Sequence, residues 1–227
     1  ILKLAPGNPE FNNGPEERVR TLKRRVMCED LGTTDDFDFN DLVFDVEYTR
    51  EEEKVDGEWV PKNSDGKWTA TITLQASGGT LPIFIQNFDG TEYNVHEYMG
   101  GTTAGRLYNP INVGIGVIRD AKALPTCQVT STNPDDIVIK VYSPDAEHRY
   151  ADKNLTLPSV KGAQKFGDNL APQKICVPVD VRWLREYQQI EWAYPYFKEW
   201  VESENGAAGF GNEHDWTREG IQEGYLY

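Results

Sequence analysis

Long apolar runs, histidine, clustered cysteine and basic counterweights to acid are all scarce in this chain. No stretch approaches the roughly 18 apolar residues that a membrane-crossing helix takes, so no transmembrane segment is read. Cys28, Cys127 and Cys176 are far apart, form no CxxC and have no histidine beside them, which makes zinc a poor reading. One disulfide at most is possible. Cys28 lies in phase with Val26, and Cys176 lies between Ile175 and Val177, so buried unpaired thiols are the expectation. His96, His148 and His214 stand singly and read as surface or loop residues. Nucleophile elbow, H-E-x-x-H, P-loop and Cys/His pair are all missing, so no catalytic residue is assigned. The opening ILKLAPGNPEF has no basic start, apolar centre or cleavage box. No signal peptide is read there, and both a cytosolic protein and an exported, processed one stay open.

Charge is one-sided. The formal net charge is −14, and from Glu29 to Glu53 eleven acids (Glu29, Asp30, Asp35, Asp36, Asp38, Asp41, Asp45, Glu47, Glu51, Glu52, Glu53) face a single base, Arg50. A field of that sign repels phosphate backbones and anionic lipid and attracts cations, so nucleic acid is not an expected partner.

What is present reads as one mostly-β domain. The chain has 227 residues, 38% of them hydrophobic, with six Trp, eleven Tyr and nine Phe, enough for a sizeable core. Residues 1–18 form an extended lead-in, and 19–227 a single domain. Strands are expected at Thr21–Glu29, Leu42–Tyr48, Lys67–Ala76, Pro82–Gln86, Asn112–Ile118, Asp136–Tyr142 and Lys174–Val179. In Leu42–Tyr48 the residues Leu42, Phe44, Val46 and Tyr48 point inward and Val43, Asp45 and Glu47 outward; in Lys67–Ala76 the set Trp68, Ala70, Ile72, Leu74 and Ala76 shares one face. Glu51–Gly66 reads as a charged, turn-rich excursion. Short strands between turn signals predict a β-sandwich, jelly-roll-like. Near the C-terminus, Ile190, Ala193, Tyr194, Phe197, Trp200 and Val201 fall at helical spacing, predicting an amphipathic helical segment near 183–204 that Pro195 kinks or divides. Packing of that stripe against the sandwich is preferred to a sugar-stacking platform.

The chemistry-bearing stretch is Asp35–Asp41, where Asp36, Asp38 and Asn40 alternate with Phe37 and Phe39 and Asp41 follows. Calcium takes six to eight oxygens at about 2.3–2.6 Å in irregular geometry, and a D-x-D-x-N bend supplies three on one side. Two bare carboxylates 4 Å apart repel by roughly 4 kcal/mol at an effective dielectric of 20, so a bound cation relieves the crowding. Asp36, Asp38, Asn40 and Glu47 occupy EF-hand positions one, three, five and twelve, but Asp41 stands where that loop has glycine, and a strand rather than a helix follows. Asp36, Asp38, Asn40 and Asp41 are therefore the candidate calcium ligands, with Glu29, Asp30 and Asp45 as a second set and Glu47 left out. The alternative is a solvated acidic loop whose Asp and Asn residues form turns.

Glu29-Asp-Leu followed by Asp36-Phe-Asp-Phe-Asn-Asp-Leu-Val-Phe resembles the signature of the LruC domain family of bacterial surface proteins. Pro172–Pro178, Arg185-Glu186, Ile190, Ala193-Tyr-Pro, Phe197, Trp200, Glu202-Ser203 and Asp215-Trp216 are similar to that family's closing pattern. The resemblance implies an all-β, extracytoplasmic and often lipid-anchored envelope protein with no established activity, and calcium in the loop. The expected function is a non-catalytic calcium-binding module in surface binding or envelope architecture, with a surface glycan or an envelope protein as partner. Alternatives are glycan binding through Trp59, Trp68, Tyr93, Tyr98, Tyr108 and Tyr150, a carboxylate-pair glycoside hydrolase, and a fimbria-like subunit that accepts a donor strand. Met99–Gly105 is glycine-rich but lacks the lysine of a phosphate loop and reads as a turn.

Overall fold

A computed structural model of the chain describes residues 15–30, 37–142, 153–155, 174–202 and 214–227. It is mostly β, with 41% of residues in strands, antiparallel sheets and no closed barrel, consistent with a β-sandwich.

The long pair β1 (Glu17–Cys28) and β2 (Leu42–Val55) forms the spine, antiparallel from Glu17↔Glu53 to Cys28↔Leu42. The acidic stretch is thus the connection that closes this pair. β2 turns at Asp56-Gly57, both at positive φ, into β3 (Glu58–Pro61), so the first part of the expected excursion is strand. β4 (Trp68–Ala76) lies along the first part of β2, and β13 (Lys174–Val177) returns beside β1. With β9 (Lys122–Ala123) and β10 (Cys127–Val129) on β4, they make a seven-stranded sheet. A second sheet holds β5 (Ile83–Gln86), β6 (Glu92–Asn94), β11 (Ile139–Val141) and β12 (Lys153–Leu155) in the order β12-β11-β5-β6, and the short β7 (Thr103–Ala104) and β8 (Leu107–Tyr108) pair with each other.

Period-two patterning decides what lies between the sheets. Leu42, Phe44, Val46, Tyr48, Trp68, Ala70, Ile72 and Leu74 of the larger sheet share one apolar cluster with Ile83, Ile85, Ile139 and Val141 of the smaller. Each such side chain contributes about 1.5–3 kcal/mol of burial. The opposite face of the larger sheet is covered too. Met27, Val43, Ala76, Ile175 and Val177 pack against Leu184, Ile190, Ala193, Tyr194, Phe197, Trp216 and Leu226 of the C-terminal segment.

That second layer corrects two expectations. Val43 points away from the inter-sheet core, as its phase demands, yet is fully buried beneath the C-terminal layer. Ala76 leaves the face of Trp68–Leu74, because the ladder slips between Val43 and Phe44 and the bulge turns the strand end over. The expected helix is shorter than its apolar period. Among the described residues of that segment only α2 (Ile190–Ala193) and α3 (Phe197–Glu202) are helical, on either side of Pro195, while 183–189 is irregular. Asn112–Ile118 is no strand; positive φ at Asn112, Gly114 and Gly116 bends it, and its one ladder contact is the isolated bridge of Val117 to Ile111. Of Ser143–Pro172 only β12 is described, and Asn205-Gly206 lies outside the described residues.

The single-histidine reading also needs correction. His96, in the short helix α1 (Val95–Tyr98), is fully buried, its Nε2 3.0 Å from Ser77 Oγ and its ring stacked on Tyr108. Burial pushes its pKa down to about 4, which keeps it neutral. His148 lies outside the described residues. Cys28, Cys127 and Cys176 are free thiols, with Cys28 buried and the others partly exposed; burial raises the Cys176 thiol to about 11.

Candidate metal site

The connection between β1 and β2 brings together five of the seven candidate ligands. Glu29, Asp30, Asp38 and Asn40 are all buried, Asp41 is half-buried, and Asp36 lies outside the described residues. Two apolar anchors hold the bend in place. Phe39 is completely buried in the second core, edge-on to Phe197 at 5.6 Å, and Phe37 packs at the rim of the same cluster. Both phenylalanines take positive φ, 47° and 51°, a left-handed conformation that costs a bulky residue roughly 1–2 kcal/mol. Their anchoring in the second core offsets that cost and fixes where Asp38 and Asn40 point.

Backbone amides hold the carboxylates of Glu29, Asp38 and Asp41. Phe39 N donates to Glu29 Oε1 at 2.5 Å, and Asp30 N donates to Asp41 Oδ2 at 2.7 Å. Asp38 takes Asn40 N on Oδ1 at 3.2 Å and Tyr187 N on Oδ2 at 2.9 Å. Phe37 O accepts from Ile190 N at 2.9 Å, and Asn40 Nδ2 donates to Leu184 O at 3.3 Å. The bend is thus stitched to residues 184–190, some 150 positions along the chain, as well as to the strands it joins.

The third wall is Ser77-Gly78-Gly79, which follows β4. Gly78 N donates to Asn40 O at 2.8 Å, and Ser77 Oγ donates to Asp41 O at 3.1 Å. Both glycines are required by proximity. A Cβ on Gly78 would stand 1.9 Å from Asn40 Oδ1 and 2.6 Å from Glu186 Oε2; one on Gly79 would stand 2.9 Å from Asp30 Oδ2 and 3.0 Å from Asp41 Oδ1. Side-chain oxygens of four residues therefore crowd two consecutive glycines.

Electrostatically the cluster is of one sign. Burial first, then the carboxylates of Asp30, Glu29 and Asp38, push the Asp41 pKa well above its ordinary value. Asn40 Oδ1, completely buried, has no hydrogen-bond partner among the described residues. An orphaned buried acceptor carries a desolvation penalty of about 1–3 kcal/mol, and a cation is one partner that removes it. The oxygen donors are those that suit a hard ion such as calcium. The carboxylates of Glu29, Asp38 and Asp41 are drawn onto separate amides, and no group of three or more His, Cys, Asp or Glu stands in ligating range among the described residues.

The remaining candidate, Asp45, and the excluded Glu47 are employed elsewhere. Asp45, a second-set candidate, lies four residues along β2 and accepts two hydrogen bonds from Arg25, at 2.7 and 2.9 Å, and one from Gln75 Nε2 at 2.9 Å. Glu47, the rejected twelfth EF-hand position, pairs with Lys23. Sequence reasoning missed Glu186 and the glycine pair. The Gly-Gly doublet directly after a cleanly alternating strand was a usable signal of close backbone approach. Glu186 gave no chemical signal, because its neighbours in space are distant in sequence.

The loop aromatics singled out for glycans are mostly occupied. Arg20 and Arg50 stack over Trp68, Arg18 over Trp59, Tyr93 meets Tyr98 edge-on and Tyr108 covers His96; Tyr150 lies outside the described residues. A surface depression of about 300 Å³ is lined by Thr49, Arg50, Glu51, Lys62, Lys67 and Gln128 among others, with Glu51 its one carboxylate. No helix among the described residues is long and apolar enough to cross a membrane. No family model, curated protein or solved structure matches the chain.

Proposed function

We propose that the 29–41 connection is a calcium site, with Asp36, Asp38, Asn40 and Asp41 as its first ligands and Glu29 and Asp30 in support. In this reading the protein is a non-catalytic module of a bacterial cell-envelope protein, exported and held at the surface, with a role in surface binding or envelope architecture. The observation that carries the calcium reading is the orphaned, fully buried Asn40 Oδ1 set among acids that raise the Asp41 pKa. The resemblance of Glu29-Asp-Leu and Asp36–Phe44 to the LruC signature supports the envelope setting.

A glycan partner is the second reading, moved to a different surface. Tyr187, Trp192 and Tyr225 are the exposed aromatics of the C-terminal layer, with the Trp192 and Tyr225 rings 5.9 Å apart. Aromatic faces of that kind stack on sugar rings, and Tyr187 adjoins the acidic cluster through its amide. A glycan array on the calcium-loaded protein, repeated with Trp192→Ala, separates this role from a purely architectural one. Loss of bound glycan in the variant is the expected result.

The calcium reading is tested by thermal melting of the full chain in calcium chloride and in excess chelator. Melting temperature is expected to rise with free calcium, and the rise to vanish in the Asp38→Ala plus Asn40→Ala double variant. Superimposable curves with and without chelator would remove the reading.

A further inference from the structure

We infer that Glu186 is a further ligand of the calcium proposed for the acidic connection, and that calcium binding fastens the C-terminal segment 184–190 onto that connection; this rests on the calcium reading above. Glu186 and Asn40 come from opposite ends of the chain, yet Glu186 Oε2 and Asn40 Oδ1 both stand within 2.6 Å of the one point that a side chain on Gly78 would occupy. Only glycine leaves two oxygens that much room. The Asn40 amide group is oriented by its own network: Nδ2 donates to Leu184 O, so Oδ1 turns toward Gly78 and Glu186. That oxygen is fully buried and has no hydrogen-bond partner among the described residues.

The neighbouring glycine extends the row. Asp30 Oδ2 and Asp41 Oδ1 crowd Gly79 as Asn40 and Glu186 crowd Gly78. The donors beside the two glycines are all oxygens, the kind a hard divalent cation takes, and Asn40 and Glu186 are the two that converge on one point. Glu186 lies in the segment already tied to the bend, because the amide that follows it, Tyr187 N, donates to Asp38 Oδ2. Tyr187 itself holds a positive φ of 63°. A ligand at Glu186 makes cation binding and docking of residues 184–190 one event. The ion would then join the far C-terminal layer to the sandwich as well as the two adjacent strands.

The test is calorimetric titration of the full chain with calcium chloride, comparing wild type, Glu186→Gln and Glu58→Gln. Glu58, an exposed acid on β3 at the far end of β2, controls for the loss of one negative charge. Glu186→Gln is expected to weaken calcium binding at least about tenfold, the factor that 1.4 kcal/mol represents, with Glu58→Gln unchanged. Equal affinity in wild type and Glu186→Gln overturns the inference and leaves the calcium site standing. A wild type that binds no calcium removes both together. Hydrogen exchange on the wild type decides the matter if Glu186→Gln does not fold. Calcium should slow exchange at 184–190 together with 29–41, and slowing confined to 29–41 overturns the inference.

Discussion

The two ends of the β1–β2 pair carry buried carboxylates in opposite circumstances. At the Glu17–Thr21 end, Glu52 is 1% exposed and is met by Arg18 at 2.6 Å, Arg50 at 2.6 Å and Arg20 at 3.9 Å. Burial alone would raise its pKa, but hydrogen bonds from Arg50 and then Arg18 outweigh burial and hold it below the usual value. Two of those guanidiniums also lie over Trp68, and the third over Trp59. At the Cys28–Leu42 end, burial and three neighbouring acids drive Asp41 the other way. One acid-rich stretch of sequence thus holds a carboxylate met by three arginines at one end and a carboxylate pressed by other acids at the other. Two of the compensating bases, Arg18 and Arg20, come from β1, where the ladder register sets them beside Glu52 and Arg50, the single base of the acidic stretch itself.

The comparison can be broken most sharply at Asp38. Asp38→Ala strands two backbone amides, Asn40 N and Tyr187 N, and is expected to cost about 3 kcal/mol in urea unfolding, in chelator as well as in calcium. A loss below about 1 kcal/mol would mean that the bend does not depend on this carboxylate. Next in size is the ion itself. Calcium at a hundred times its dissociation constant should add about 2.7 kcal/mol, or roughly 5–10 °C of melting temperature for a domain this large. Glu52→Gln should cost less, about 1–2 kcal/mol, because its arginines are partly solvated and turn to water. Its calcium response should match that of the wild type. A changed response would show the two ends to be coupled.

The smallest effect to resolve is the opposite pH dependence of the two ends. Asp41 in the calcium-free fold keeps its proton more tightly than in the unfolded chain, so the folded state binds more protons and stability falls as pH rises above 3.8 toward the raised folded value. Glu52 has the reverse sign: its contribution is present above 4.5 and is lost as pH falls through its lowered folded value. Urea midpoints in chelator, measured against pH for wild type, Asp41→Asn and Glu52→Gln, separate the two. Asp41→Asn should remove a falling slope and Glu52→Gln a rising one. Identical slopes in both variants would erase the contrast.

Alternation in Leu42–Tyr48 and Trp68–Leu74 made the inter-sheet core readable residue by residue, because a period of two leaves one consistent inward face. The apolar residues from Ile190 to Phe197 likewise marked a packed face, although Pro195 cut the helix short. Legibility ended where a residue's surroundings come from far along the chain. Val43 reads as solvent-facing because nothing near it in sequence announces a layer on that side, and Ala76 reads onto the wrong face because one slipped register reverses a strand's faces. Asp45 showed the same limit: as a string position it belongs to the acidic run, whereas its fork to Arg25 depends on strand pairing.

The amino-acid order alone determined a mostly-β chain with one dense acidic bend, since strand period and charge spacing are local properties. Tertiary structure decided which acids share that bend, which have an arginine, and that Gly78, Gly79 and Glu186 stand against Asn40. Those are distances through space between residues far apart in the chain, and no local pattern encodes them.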